Sequence, residues 1–144
     1  MAEGSASVRV NVPPDQVFPY VADLETAPEW VPDLVSMKKV SDGEVGVGTR
    51  YAEVVQMGKS TADAELEVTA YEPHRLFAHK GQGGPSRFTG RFVMEPDGDG
   101  TKVTHQYTVT MTGFYRVLSP FVRGWVRKNA EEGLENLKKT LEQR

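Results

Sequence analysis

Residues Gly100–Met111 read GTKVTHQYTVTM, and from Val103 the odd positions are Val103, His105, Tyr107, Val109 and Met111, while Thr104, Gln106, Thr108 and Thr110 fill the even ones. A period of two sends successive side chains to opposite faces of a strand, so this stretch predicts a strand with one buried face. That buried set contains one imidazole, at His105, which raises the question of whether it does chemistry, holds a ligand or fills space.

Working back along the chain, similar segments recur between turn-forming residues. SRFTGRFVME ends at PDGDG, RLFAHK at the glycine-rich GQGG, STADAELEVTAY at Pro73, TRYAEVVQM at Gly58 and LVSMKKV at Asp42-Gly43. Six strands on short connections predict an antiparallel meander, and SVRVNV, stopping at Pro13-Pro14, adds a seventh. A short helix is expected from about Pro14, because proline suits the first helical position; Val17, Phe18 and Val21 fall on one side of it. Thr26 and Glu29 have the spacing of a capping box and predict a second short helix ahead of Trp30 and Val31, closed by Pro32.

Working forward, the period changes. From about Tyr115 to Glu142, Leu118, Phe121, Val122, Trp125, Val126, Ala130, Leu134, Leu137 and Leu141 recur at spacings of three and four, with Arg123, Arg127, Glu131, Glu135 and Lys138 on the other side. At 1.5 Å per residue such a helix runs roughly 35–40 Å, long enough to cross a sheet. The chain therefore reads as one α+β domain, residues 1–144, with a curved seven-stranded antiparallel sheet wrapped around a long C-terminal helix. A helix on such a sheet encloses space it cannot fill, above all beside small residues such as Ala130 and Gly133, so a cavity is expected.

Composition narrows the function. The net charge is −3 with no basic tail, so no nucleic-acid partner is expected. No apolar run approaches the ~18 residues of a membrane span, and MAEGSASVRV lacks the hydrophobic centre of a signal peptide, which predicts a cytoplasmic protein. The absence of cysteine removes disulfides, thiolate nucleophiles and sulfur-ligated metals together. His74, His79 and His105 lack local ligand spacing, so no metal is expected. Gly46-Val47-Gly48 lacks the third glycine of a nucleotide fingerprint, GQGGPS has no following Lys-Ser or Lys-Thr, and there is no Gly-x-Ser-x-Gly elbow. No cofactor is expected, and GQGG reads as a flexible loop over a pocket mouth.

The segments VPPDQVFPYVADLETAPEW, VGVGTRY, EVTAYEPHRL, PDGDGTKVT and SPFVRGWVRKNAEEGLENLKKTLE follow one another in an order and spacing that resembles the START-like or helix-grip proteins of the SRPBCC superfamily, and within them the polyketide cyclase/dehydrase and small-ligand-binding group. The resemblance runs from Val8 to Glu142. It implies a helix-grip fold and a deep, mostly apolar pocket for a lipid, polyketide, plant-hormone-like or aromatic molecule. Some members close rings and dehydrate there, others only bind or carry, and others dock on a protein; fold alone does not choose among them.

Candidates for the pocket wall follow from strand parity. The last strand offers His105, Tyr107 and Met111, its neighbour Phe88 and Phe92, and the long helix Phe121, Trp125 and Asn129; each could equally be plain core. His105 is a candidate for proton transfer, or for a structural or ligand-positioning role. Glu53 shares parity with Tyr51, Val55 and Met57; it faces inward if that set is the inner one and is solvated if Ala52, Val54 and Gln56 are. The resemblance places an aromatic inward at Tyr51, which favours Glu53 inside as a general acid or base. For RLFAHK the resemblance favours Leu76, Ala78 and Lys80 inward, leaving His79 exposed. Asp63, Glu65 and Glu67 read as the wet face of a strand. Arg116, Arg123, Arg127 and Lys128, followed by Glu131, Glu132 and Glu135, could dock an acyl carrier or another acidic protein, or be an ordinary solvated helix face. The leading expectation is binding of a small hydrophobic or aromatic molecule, with a cyclase/dehydrase using Glu53 and His105 as the alternative and a protein-interaction module as the third.

Overall fold

The computed structural model describes residues 2–113 and 119–144. Strand β1 (Ala2–Val10) leads into helix α1 (Pro14–Ala22) and a 3-10 helix (Leu24–Glu29), followed by β2 (Leu34–Lys39), β3 (Arg50–Met57), β4 (Ser60–Glu72), β5 (Leu76–Gly83), β6 (Ser86–Asp97), β7 (Gly100–Met111) and helix α2 (Ser119–Glu142). The seven strands form one curved antiparallel sheet in the order β1-β7-β6-β5-β4-β3-β2. The meander therefore holds from β2 to β7, and β1 crosses to pair with the last strand, Val8 opposite Val103 and Gly4 opposite Tyr107. The expected helix start at Tyr115, with Arg116 and Leu118, lies outside the described residues. Among the described residues no helix is long and apolar enough to cross a membrane.

The second half of α2 buries Ala130, Leu134, Leu137 and Leu141, and the helix packs chiefly on β1. Polar ties fix it there: Lys138 Nζ donates to the carbonyl of Arg9 (3.0 Å) and to Glu142 Oε2 (2.7 Å), which also accepts from the Asn11 amide (2.8 Å). Asn129 and Asn136 donate through Nδ2 to the carbonyls of Pro32 (2.8 Å) and Trp30 (3.1 Å), latching the segment after the 3-10 helix to α2. Buried Thr101 donates to the Val12 carbonyl (2.6 Å), which closes the bend between β1 and α1. In the first half of α2, by contrast, Phe121, Arg123, Gly124, Trp125, Arg127 and Lys128 are exposed. Among the described residues, α2 seals one end of the sheet and leaves the other open.

Two local expectations are corrected. The 3-10 helix begins before the supposed capping box: Asp23 caps it by accepting from the Glu25 amide (3.2 Å), while Thr26 sits inside and turns its hydroxyl back to the carbonyls of Tyr20 (2.9 Å) and Asp23 (2.8 Å). Threonine competes for backbone acceptors in this way within helices as well as at their starts. Glu29 accepts instead from the Tyr20 hydroxyl (2.9 Å). GQGG is not a loop either, since Gly81-Gln82-Gly83 continue β5 and the turn is Gly84-Pro85, with Gly84 at φ 53°. Glycine is required at both strand positions, because a Cβ on Gly81 would stand 2.4 Å from Phe88 Cζ and one on Gly83 would stand 2.6 Å from the Asp63 carbonyl.

Candidate functional site

Between the unsealed part of the sheet, the 3-10 helix segment and α2 lies a cavity of about 510 Å³. Strand parity builds its wall. β7 contributes His105, Tyr107, Val109 and Met111, β6 Phe88, Gly90 and Phe92, β5 His79, and β3 Glu53, Val55 and Met57. Trp30, Leu34 and Met37 add apolar surface, and Trp125, Asn129 and Ala130 of α2 face them. Exposed Met57 and Trp125, with the Gly84-Pro85 turn, mark the outer end.

Glycines keep this interior open. Three rings lie over the glycine directly opposite them on the neighbouring strand: Phe88 over Gly81, His79 over Gly90 and Tyr107 over Gly4. A Cβ on those glycines would come within 2.4, 2.6 and 2.7 Å of the respective ring. The absent side chains let the rings lean along the sheet, and space remains in front of them.

Of the residues expected in the wall, Phe88, Phe92, Tyr107, Met111, Trp125, Asn129, Glu53 and His105 line the cavity. Three expectations fail. Phe121 is 77% exposed and lies outside the wall. Tyr51 shares the inner face of β3 but is packed into the solid core and does not reach the cavity; its hydroxyl, buried without a partner among the described residues, is pushed up to about 12 by burial and then by the nearby charges of Asp23 and Glu25. His79 is inside, not exposed. The inner set of β5 is Phe77 and His79, since the other parity would bury the Lys80 ammonium, which costs far more than burying a neutral imidazole. Asn129 lines the wall, yet its amide is spent on the Pro32 carbonyl.

His79 could have been found in the sequence. Once the turn is placed at Gly84-Pro85, Gly83 pairs with Ser86, and counting back sets His79 opposite Gly90. Trp30, reached through the 3-10 helix, carries no such periodic signal.

Electrostatically the wall is apolar with a few titrating groups. Burial pushes the Glu53 carboxyl up from 4.5 to about 7. Burial likewise drives His79 down to about 4 and, with His79 as a further cause, His105 down to about 3. Near neutrality both imidazoles are therefore uncharged, while Glu53 is divided between its two forms. The His105 ring stacks on Phe92 at 4.2 Å and 8°, and Trp30 meets the same phenyl edge-on at 5.8 Å. His79 Nδ1 and Trp30 Nε1 are buried without a partner among the described residues. No group of three or more His, Asp or Glu among the described residues could hold a metal. The basic stretch of α2 is largely compensated: Arg127 pairs with Glu131 (3.2 Å) and Lys128 with Glu132 (3.8 Å).

Residues 1–142 match the family described as polyketide cyclase/dehydrase and lipid transport. No curated protein sequence matches the chain. Solved structures of the same fold include a START superfamily protein from Mycobacterium smegmatis (TM-score 0.84, 18% identity, 99% of each chain covered). The protein TTHA0849 from Thermus thermophilus gives a TM-score of 0.82 at 23% identity, with 96% of each chain covered. The ZhuI aromatase/cyclase from Streptomyces sp. R1128 gives 0.80 at 14% identity, covering 99% of this chain and 94% of that one.

Proposed function

The chain belongs to the polyketide cyclase/dehydrase and lipid transport family, and from that premise we propose that it binds one small hydrophobic or aromatic molecule, in the cytoplasm, inside the cavity between the sheet and α2. The observation that carries this reading is the hollow of about 510 Å³, walled by Phe88, Phe92, Trp30, Trp125 and aliphatic side chains. That volume lies within the ~300–1,000 Å³ typical of small-molecule sites. Two tryptophans in the wall supply the assay. Titration with naphthalene, a purely apolar aromatic probe, is expected to change the tryptophan emission saturably, and native mass spectrometry of the purified protein to show a retained molecule. If neither occurs, the reading is wrong.

A second reading is a cyclase/dehydrase. It is favoured by Glu53, which titrates near neutral pH and faces the same hollow as His79 and His105. Glu53 would act as acid or base, His105 would relay or position, and the aromatic wall would hold a poly-β-ketone chain in a conformer ready to close. Turnover of a poly-β-ketone surrogate that falls at least a hundredfold in Glu53→Gln or His105→Ala supports this reading; binding without turnover returns the protein to carriage. An acyl carrier is the protein partner this chemistry would use.

A further inference from the structure

In the cavity wall two imidazoles meet over one glycine. A Cβ built on Gly90 would lie 2.6 Å from His79 Nε2 and 3.4 Å from His105 Nε2, so the two nitrogens are at most 6.0 Å apart, the sum of those distances. One oxygen at ordinary hydrogen-bond lengths of ~2.7–3.0 Å spans a gap of that size. Both residues and Gly90 line the cavity.

We infer that His79 and His105, straddling Gly90, form a subsite for a single ligand hydroxyl, that of a phenol or enol carried on an aromatic or conjugated body. This inference rests on the binding reading above and names the ligand class more closely. A neutral imidazole carries one N–H and one lone pair. His79 Nδ1 is buried with no partner among the described residues, and an orphaned N–H is harder to bury than an under-used acceptor. His79 therefore keeps its proton on Nε2 and donates toward the niche. Two N–H dipoles aimed at one spot repel, so His105 presents its Nε2 lone pair.

A hydroxyl satisfies both groups at once, accepting from His79 and donating to His105. An ether or carbonyl oxygen meets only the first, and an ammonium only the second. A metal ion is not the match, because among the described residues no third ligand joins the two imidazoles. The surroundings fit an aromatic carrier for that oxygen: Phe92 stacks against His105, and Trp30 and Phe88 flank the same space.

The experiment compares three probes of nearly equal shape, naphthalene, 2-methoxynaphthalene and 2-naphthol, by tryptophan fluorescence titration. For the native protein, 2-naphthol is expected to bind about tenfold tighter than 2-methoxynaphthalene, the value of roughly one net buried hydrogen bond. His79→Phe and His105→Phe, which keep the aromatic volume, should each erase that preference, read as the ratio of 2-naphthol to 2-methoxynaphthalene affinity within each variant. Imidazole nitrogen shifts of the native protein labelled with ¹⁵N-histidine give a readout independent of any variant, and the His79 and His105 signals should move with 2-naphthol and not with naphthalene. If naphthalene binds but 2-naphthol shows no preference or leaves those signals still, the hydroxyl subsite is wrong and the binding reading stands. If none of the three binds, the binding reading falls and takes the subsite with it.

Discussion

Replacing Glu53 by glutamine isolates the electrostatic cost of the cavity. Burial raises the carboxyl from 4.5 to about 7, and at ~1.4 kcal/mol per pKa unit the ionised group costs the folded state about 3 kcal/mol. The sign follows from linkage. Because the folded value is the higher one, the native protein keeps its full stability below about pH 4.5, where the carboxyl is protonated whether folded or unfolded. It loses stability as pH rises from there through about 7, and the loss is complete above that. Glutamine cannot ionise, so Glu53→Gln is expected to differ from the native protein only by a small constant offset at pH 4 and to become more stable by about 3 kcal/mol at pH 8.5, equivalent to roughly 10 °C in Tm for a chain of this length. Urea denaturation of both ligand-free proteins at half-unit pH intervals from 4 to 9 measures the difference, and titration elsewhere in the chain cancels from it. A difference that stays flat over that range would mean that the carboxyl is solvated, and with it the placement of Glu53 in an apolar wall would fail.

Three further outcomes follow from the same geometry. Gly81→Ala, which sets a methyl 2.4 Å from the Phe88 ring, should destabilise the fold by about 1–3 kcal/mol and weaken naphthalene binding, because the ring is displaced toward the cavity; unchanged binding and stability in that variant would show that the ring has room to move elsewhere. Thr101→Val strands the Val12 carbonyl, now held at 2.6 Å by a fully buried hydroxyl, and should cost about 1–3 kcal/mol in chemical denaturation. His79 and His105 titrate in the opposite sense to Glu53: their folded values of about 4 and about 3 lie below the ordinary 6.5, so the stability they allow is present above pH 6.5 and lost as pH falls through the folded values. The double variant His79→Phe/His105→Phe should therefore show a flatter acid limb between pH 6.5 and 3.

The sheet and long helix were legible because each rests on a period that only one geometry satisfies. Val103 to Met111 alternates strictly, and Leu134, Leu137 and Leu141 repeat at helical spacing; Val103, Tyr107 and the three leucines are buried, and His105, Val109 and Met111 line the cavity. Legibility failed wherever the answer depended on where an element stops. Phe121 has the same period as Trp125, yet among the described residues α2 buries side chains only from Ala130 onward, and periodicity contains no information about the length of the partner surface. His79 was misplaced because β5 runs on through Gly81 and Gly83, and a strand that contains two glycines looks like a loop until the rings lying over it are known. Tyr51 had its face read correctly and its depth missed, since parity distinguishes inside from outside and cannot distinguish cavity from core.

That last distinction carries the case for a working site. A core selected only for stability satisfies its buried polar groups or replaces them with apolar ones. Here Tyr20, Thr101 and Asn136 obey that rule, each with a hydrogen bond, and the Tyr51 hydroxyl is the exception in the core. In the cavity wall, Glu53, His79 and His105 are each held far from their ordinary pKa by burial, and His79 Nδ1 is buried without a partner among the described residues. Gly81 and Gly90 lie beneath rings on the same wall and withhold the methyl groups that would crowd it. Near neutral pH the desolvated Glu53 lowers stability, and it stands on the surface a bound molecule would touch. A ligand that fills the hollow and hydrogen-bonds its polar groups makes the bound form the more stable one: saturating 2-naphthol at a hundred times its Kd is expected to raise the unfolding free energy by about 2.7 kcal/mol. The same saturation of the His79→Phe variant, at the same absolute concentration and with affinity about tenfold weaker, should raise it by only about 1.4 kcal/mol. Equal gains in the two proteins would mean that the stabilisation comes from filling space alone.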